Sequence, residues 1–472
     1  MAYIGIVVAM ILFLMALVGP KPYHGLLALV LSCYCSFPIV VAATGTNSAV
    51  WVIDVVLIAV LLRWGVTVLR RTSAYGQPPG ASLLVMLVCM AVISLGVYLA
   101  RYVSVMAMYH FGFYSLRFLA FVLAYYIAAL LPISRDEFRR LVTWIVVLTV
   151  GMAIANIISR QGMINMHFYM ANILQTGYIE EQARARDMHG WLLGFNRASV
   201  GLFAFLTLFL LLMRSWLGKM GGKVFLYLGL PLIVSMLLDS FSRAALLGAF
   251  TAFVVAIIRL KPKNTLSLVL AVGVGGLAIT FMQADVQAWT ERFAALFSEQ
   301  AFRQSTGQGR IEAWMRLLAY LIGNPQYLLT GSGFYCYSYT YTQQAAAYSA
   351  AHNMYLQALS ELGIVGLTLM LIFWTKLTVL FFRLARKGRE DHYQHIACNV
   401  MLAIMLGALA SGLSQETLFP AAQGFHTASL FMILFGATIS TFCYAPAEQA
   451  SYARFDVLDS IQRQQLMRCG YA

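Results

Sequence analysis

Apolar residues in this chain come in long unbroken runs, not in alternation with polar ones. The runs fall near 3–19, 25–43, 50–69, 81–100, 116–132, 141–158, 193–213, 224–238, 244–258, 264–282, 354–380, 396–413 and 424–443. A helix that crosses a bilayer needs about 20 consecutive, mostly apolar residues. The pattern therefore predicts an all-α polytopic membrane protein of about 12–13 transmembrane helices. The runs 224–238 and 244–258 are short and are expected to pair across a tight turn at Asp239–Arg243. No internal repeat, inverted symmetry or low-complexity linker interrupts the series, so residues 1–472 are read as a single integral membrane domain. The first run lacks a basic leader and a small-x-small cleavage site, and is read as a retained span.

Two intervals between runs are long. One extends from about Ser159 to Gly190 and the other covers 283–352. A loop of the second size inside a compact protein usually carries function. Within it, Trp314, Leu317, Leu318 and Leu321 have helical spacing, which predicts an amphipathic helix over Arg310–Gly323. Such a helix can lie on a membrane surface or roof a cavity. Residues 444–472 form a short polar tail.

Composition narrows the class. Hydrophobic residues make up 61% of the chain and charged residues 11%. A soluble chain of this length would split into several domains, each needing a polar surface that is not available here. Continuous apolar runs also exclude an outer-membrane barrel, whose strands alternate. The seven cysteines are scattered with no zinc-binding spacing, and an odd set is not a disulfide framework.

The net charge of +14 would suggest nucleic acid in a soluble protein. In a membrane protein the positions of the charges matter more, and no nucleic-acid partner is expected. Short cytoplasmic loops attract Lys and Arg. Placing the loops after odd-numbered runs inside gathers Arg63, Arg70 and Arg71, Arg135, Arg139 and Arg140, and the basic residues of 376–389 on one side, with the N-terminus outside and the C-terminus inside. All seven lysines then lie inside, while the outer face uses arginine alone: Arg101, Arg117, Arg160, Arg184, Arg186, Arg197, Arg243, Arg292, Arg303, Arg310 and Arg316. The planar guanidinium fork binds phosphate or carboxylate bidentately, as lysine cannot. Pairing with nearby acids or lipid headgroups is the plainer account of any single one.

Three outer segments can carry chemistry. His352 stands where the large loop re-enters the membrane, in Ala351-His352-Asn353-Met354-Tyr355-Leu356. A histidine there can act as general acid or base near neutral pH, or serve only as a capping or interface residue. Glu361, nine residues on in an apolar helix, is costly there and expects a structural partner, most simply an arginine. Arg243, in Asp239-Ser240-Phe241-Ser242-Arg243, stands at the start of a helix whose amides add positive potential for an anion; a salt bridge to Asp239 is the alternative. Arg310 follows Thr306-Gly307-Gln308-Gly309 in a helical first turn, where positive charge opposes the dipole unless an anion is bound. Arg197, after Asn196, opens another span from outside and is a further anion contact. The aromatic stretch Phe334, Tyr335, Tyr337, Tyr339 and Tyr341 can stack on sugars or form an interfacial belt, with the belt slightly favoured. No Walker loop, HExxH, GxSxG or paired acidic metal motif is present, so neither a metal nor a cofactor is expected.

The His-Asn followed by Gly-x-x-Gly at His352–Gly366 resembles the signature of the O-antigen ligase and polysaccharide polymerase superfamily. The Arg-x-x-x-Leu element at Arg243–Leu247 and Gly309-Arg310 in the large loop are similar to that family's arginine motifs, in the same order. The resemblance covers roughly 190–440, and the first 180 residues only by hydropathy. It implies a GT-C-like glycosyltransferase, metal-independent and inverting, in a bacterial inner membrane with its active site facing the periplasm. Its donor would be a glycan on undecaprenyl pyrophosphate. In that family reading His352 activates the acceptor hydroxyl, Arg243, Arg310 and Arg197 hold the pyrophosphate, and Asn353 and Glu361 support them. The acceptor would be a lipid-linked repeat in a polymerase of exopolysaccharide or O-antigen, or lipid A core in a ligase. A chain-length regulator is a further partner. The motif around His352 leans toward the polymerase. The rivals are a lipid-linked glycan transporter, which predicts inverted repeats and helices broken near the midplane, and a peptidoglycan polymerase, which wants a catalytic carboxylate such as Asp285 or Glu312 in an outer loop.

Overall fold

The computed structural model describes residues 2–35, 38–41, 49–99, 105–160, 197–217, 220–240, 242–260, 308–334, 351–415, 417–419 and 425–444. Helices dominate. In chain order they are α1 (Ala2–Val18), α2 (Pro22–Cys33), α3 (Val52–Tyr75), α4 (Ala81–Leu99), α5 (Val105–Leu130), α6 (Arg135–Arg160), α7 (Arg197–Leu217), α8 (Met220–Asp239), α9 (Arg243–Arg259), α10 (Gln308–Gly323), α11 (Pro325–Thr330), α12 (Met354–Lys387), α13 (His392–Ser411) and α14 (Phe425–Ile439), the last continued by a π-turn at Ser440–Tyr444. Each apolar run coincides with a helix except 264–282, which lies outside the described residues, and the second half of 25–43. Among the described residues, six helices are long and apolar enough to cross a membrane: Val52–Ala74, Ala81–Leu99, Arg135–Ala155, Met354–Lys387, His392–Ser411 and Phe425–Tyr444. The protein is an all-α polytopic membrane protein.

Burial follows position in the bundle. Every residue of α14 is buried, and α13 is buried along most of its length. Helices around them turn large apolar side chains outward, such as Leu62 at 69% exposure and Ile258 at 73%. In water these faces would be an aggregation hazard; in a bilayer they are the ordinary lipid-facing surface. Polar side chains inside pair with one another where helices meet, as in the cluster of Thr149, Thr207 and Tyr34. The Thr207 hydroxyl donates to Thr149 Oγ1 at 2.8 Å, and Tyr34 Oη lies 2.8 Å from the same atom.

One element departs from expectation. The run 25–43 reads as a continuous span, but α2 stops at Cys33. Residues Pro38–Val41 instead form a strand, antiparallel to Ala49–Trp51. Pro38 cannot donate a helical hydrogen bond and disfavours helix in the residue before it, while Ile39, Val40 and Val41 are β-branched.

The tight turn between α8 and α9 is present, and Ser242 caps α9 by accepting from the Ala245 amide at 3.3 Å. However, α9 packs mainly on α13, not back on α8. The crossing is made of small residues. A Cβ on Gly407 would lie 2.5 Å from the Gly248 carbonyl and 3.0 Å from Ala252 Cβ, so the two backbones touch. Further along the same antiparallel pair, Arg259 Nε donates to Asn399 Oδ1 at 3.0 Å.

That pairing sorts the arginines. Arg135 pairs with Asp391 at 2.5 Å, Arg214 Nε donates to the Thr143 hydroxyl at 3.3 Å, and Arg71 Nη1 donates to the Leu130 carbonyl at 2.7 Å. These residues gather at one end of the bundle, where several meet the carbonyl ends and polar rims of helices. The N-termini of α7, α9 and α12 lie at the other.

Candidate functional site

The candidate residues share a structural position. Arg197 is the first residue of α7, Arg243 the first of α9, Arg310 the third of α10, and His352 lies two residues before α12. Each therefore stands at a helix N-terminus, where unpaired amides and the macrodipole present positive potential. The side chains of Arg197 and Arg310 lie outside the described residues, so their backbone positions alone are compared.

Packing brings these ends together. Gly201, one turn into α7, abuts the turn before α9: a Cβ there would lie 2.6 Å from Ser240 Oγ and 2.7 Å from Ala245 Cβ. Arg197 and Arg243 thus start adjacent helices at the same end, with Arg197 about one turn further out. The end of α13 joins α9 to α12. Gly248 faces Ser411 across the α9–α13 crossing, and the Met354 amide donates to the Gly412 carbonyl at 2.7 Å. Tyr355 Oη adds a bond to the Leu409 carbonyl at 2.8 Å.

Asn353 is the N-cap of α12. Its Oδ1 accepts from the Tyr355 and Leu356 amides at 3.0 and 3.1 Å, and its Nδ2 donates to the Leu413 carbonyl at 3.0 Å. The histidine and asparagine of the sequence motif therefore have separate physical duties: Asn353 ends the loop and starts the helix, and His352 is projected just before it. His352 has φ of 51°, the one positive value at a non-glycine position among the described residues. Such a conformation is sparsely populated and persists only where surroundings fix it.

The first glycine of the motif, Gly363, is explained by a break in α12. Gly363 has φ of 70°, and a Cβ on it would sit 2.2 Å from the Leu329 carbonyl. Gly331 makes the reciprocal approach, with its Cβ position 2.1 Å from the Glu361 carbonyl. Residues 329–332 thus press into the gap. Ser332 supplies its amide at 2.9 Å and its hydroxyl at 3.0 Å to the Ser360 carbonyl. A broken helix deep in an apolar bundle needs such replacement donors.

Glu361 is almost fully buried, at 1% exposure. It accepts a hydrogen bond from Gln357 Nε2, whose Oε1 accepts from the Ala351 amide at 2.8 Å. The carboxylate is thereby wired to the loop end beside His352. Gln357 was not legible as a site residue, although a glutamine one helical turn before an intramembrane glutamate was the available signal. Trp314 was read only as part of an apolar face, yet its indole N–H donates to the Ala351 carbonyl at 2.8 Å. That bond ties the loop helix α10, with Arg310 in its first turn, to the residue before His352.

Among the other outer arginines, Arg117 is buried at 3% exposure, its guanidinium 5.6 Å from the Trp51 ring centroid and 5.9 Å from that of Phe425. Cation–π contact and the charge of the nearby Asp54 both favour the guanidinium here. Arg316 is exposed. The side chain of Asp239, the tyrosines at 335, 337, 339 and 341, and Asp285, as well as most of the 283–352 loop and the 444–472 tail, fall outside the described residues, as does the Glu312 side chain.

The fold and this cluster of helix ends define a polytopic membrane protein with a histidine and several arginines gathered at one end of its bundle. Residues 226–371 match a family model described as O-antigen ligase. The match runs from α8 through α9 and the large loop to the middle of α12. It includes Arg243, Arg310, His352, Asn353 and Glu361 and leaves out Arg197. It supports the O-antigen ligase and polymerase superfamily, whose members are glycosyltransferase-like enzymes acting on a lipid-linked glycan and an acceptor. No curated protein matches the chain.

Proposed function

We propose that this protein polymerises a bacterial surface polysaccharide, an exopolysaccharide or O-antigen, at the periplasmic face of the inner membrane. The donor is a glycan on undecaprenyl pyrophosphate and the acceptor is a sugar hydroxyl of another lipid-linked repeat. The observation that carries this reading is the gathering of the Arg197, Arg243 and His352 helix ends at one end of the bundle, with the Arg310 helix bonded to Ala351.

The chemistry follows from the groups. The acceptor oxygen forms a bond to the anomeric carbon as the bond from that carbon to the diphosphate oxygen breaks. His352 takes the hydroxyl proton, and the electron pair leaves with undecaprenyl pyrophosphate. Arg243 and Arg310, with Arg197, neutralise the charge that grows on the diphosphate, helped by the amides of the helices they start. Attack opposite the leaving group inverts the anomeric centre. An arginine cluster does the work that a divalent cation does in nucleotide-sugar transferases, so the reaction proposed here needs no metal. The apolar bundle holds the polyprenyl chain, and α10 shields the reacting centre from water.

A ligase is the second reading, favoured by the description of the matching family. It uses the same donor and residues and differs in its acceptor, lipid A core. Cells lacking the protein, complemented with wild type or with Arg310→Ala, separate the two. Accumulation of single lipid-linked repeats in the variant supports the polymerase. Accumulation of long lipid-linked chains that never reach lipid A core supports the ligase and overturns the polymerase.

A further inference from the structure

The backbone of His352 is held from two different elements. Its φ and ψ angles together set the peptide unit before it against the peptide unit after it. The unit before carries the Ala351 carbonyl, which accepts from Trp314 Nε1 of the loop helix α10 at 2.8 Å. The Ala351 amide is taken by Gln357 Oε1, also at 2.8 Å. On the other side, Asn353 is bonded to Leu413 and Met354 to Gly412, both just beyond α13. The left-handed φ of 51° thus lies between Ala351, held by α10 and α12, and Asn353 and Met354, held by residues just beyond α13. Buried contacts anchor α10 itself: Leu317 and Leu321 are fully buried in a cluster with Tyr327, Ala351 and Leu359.

Trp314 also lies four residues after Arg310, one turn along α10, so the two positions share a helix face. We propose that Trp314 is a positioning residue for His352, and that through it the placement of the histidine depends on the seating of the loop helix that carries Arg310. This rests on the glycosyl-transfer reading above and extends it. The helix whose N-terminus faces the donor diphosphate also orients the group that accepts the proton. Binding of the leaving group and activation of the acceptor are then linked through one indole N–H.

The test uses the full-length protein in lipid nanodiscs, with a lipid-linked repeat as both donor and acceptor. Trp314→Phe keeps an aromatic ring against the cluster and removes the donor. The expected result is a fall in kcat of about tenfold with KM within about twofold, the signature of a lost transition-state arrangement. The second readout needs no turnover. Carbethoxylation by diethyl pyrocarbonate, followed by mass spectrometry, should be about threefold or more faster at His352 in the variant and unchanged at the exposed His392. Gln357→Met, which frees the amide of the same residue, Ala351, from the other helix, should reproduce both results and serves if Trp314→Phe fails to fold. An active wild type whose variants keep kcat, or which raise KM alone, overturns the proposal, as does unchanged labelling of His352. A wild type that extends no chain counts against the polymerase reading instead, and the labelling then decides the role of Trp314 by itself.

Discussion

At the scale of single residues, the groups proposed to touch substrate are distinct from the groups that hold them in place. His352→Ala should lower the rate of chain extension by about 10²–10⁴-fold, the usual contribution of a general base, with the protein still folded and inserted. Arg243→Lys keeps the charge but loses the planar fork, and should cost about tenfold in kcat/KM measured on purified protein. Asn353→Ala is different in kind. It removes the N-cap of α12 and the bond to Leu413, and should lower stability by about 1–2 kcal/mol, read as a lower thermal midpoint in detergent. Asn353→Asp retains the cap but sets an acceptor oxygen against the Leu413 carbonyl, and should recover only part of that loss. The sequence motif showed that His352 and Asn353 matter together, because an adjacent polar pair at a membrane edge is conspicuous in an apolar chain. It did not show which residue caps and which projects, since that depends on a φ angle and on a carbonyl 60 positions away. Trp314 and Gln357 were hidden for the same reason: each earns its role through a bond to the Ala351 backbone, and helical spacing alone reports only that the tryptophan belongs to an apolar face.

At the scale of elements, hydropathy gave the helices because a bilayer demands long apolar segments with satisfied backbones. It failed at 25–43, where Pro38 and the β-branched residues after it make a strand while remaining just as apolar as a helix. It was also silent on packing partners. The tight turn at 240–242 suggested that α8 and α9 would pair, but close contact is reserved for α9 and α13, whose glycines let the backbones meet. Gly407→Leu should force these helices apart. The expected result is a loss of folded protein after mild detergent extraction, measured by size-exclusion chromatography, and unchanged behaviour would contradict the crossing. The break in α12 is the second element-level feature. Gly363→Ala would place a methyl against the Leu329 carbonyl in a backbone region that alanine avoids. It should destabilise the protein severely, while Gly65→Ala, in α3 with nothing near its Cβ position, should be tolerated.

At the scale of the whole molecule, the two ends of the bundle differ in chemistry. One end holds Arg71, Arg135, Arg214 and Arg259 wired into helix ends, polar side chains and Asp391. The other gathers the N-termini of α7, α9 and α12, with α10 bonded alongside. The proposed orientation puts the first end in the cytoplasm. In a background without the native cysteines, Lys387→Cys should react with an impermeant maleimide only after the membrane is opened, and Leu413→Cys should react in spheroplasts. The central claim is that the second end transfers glycan from a polyprenyl diphosphate with His352 as base, and one measurement tests it most directly. Cells lacking the native protein are complemented with wild type or His352→Ala, and their lipid-linked and surface glycans are separated on a gel. The account predicts long chains with wild type, and single lipid-linked repeats without long chains in the variant at equal protein level. Wild-type glycan in the His352→Ala cells would contradict it and move the transporter reading to the front.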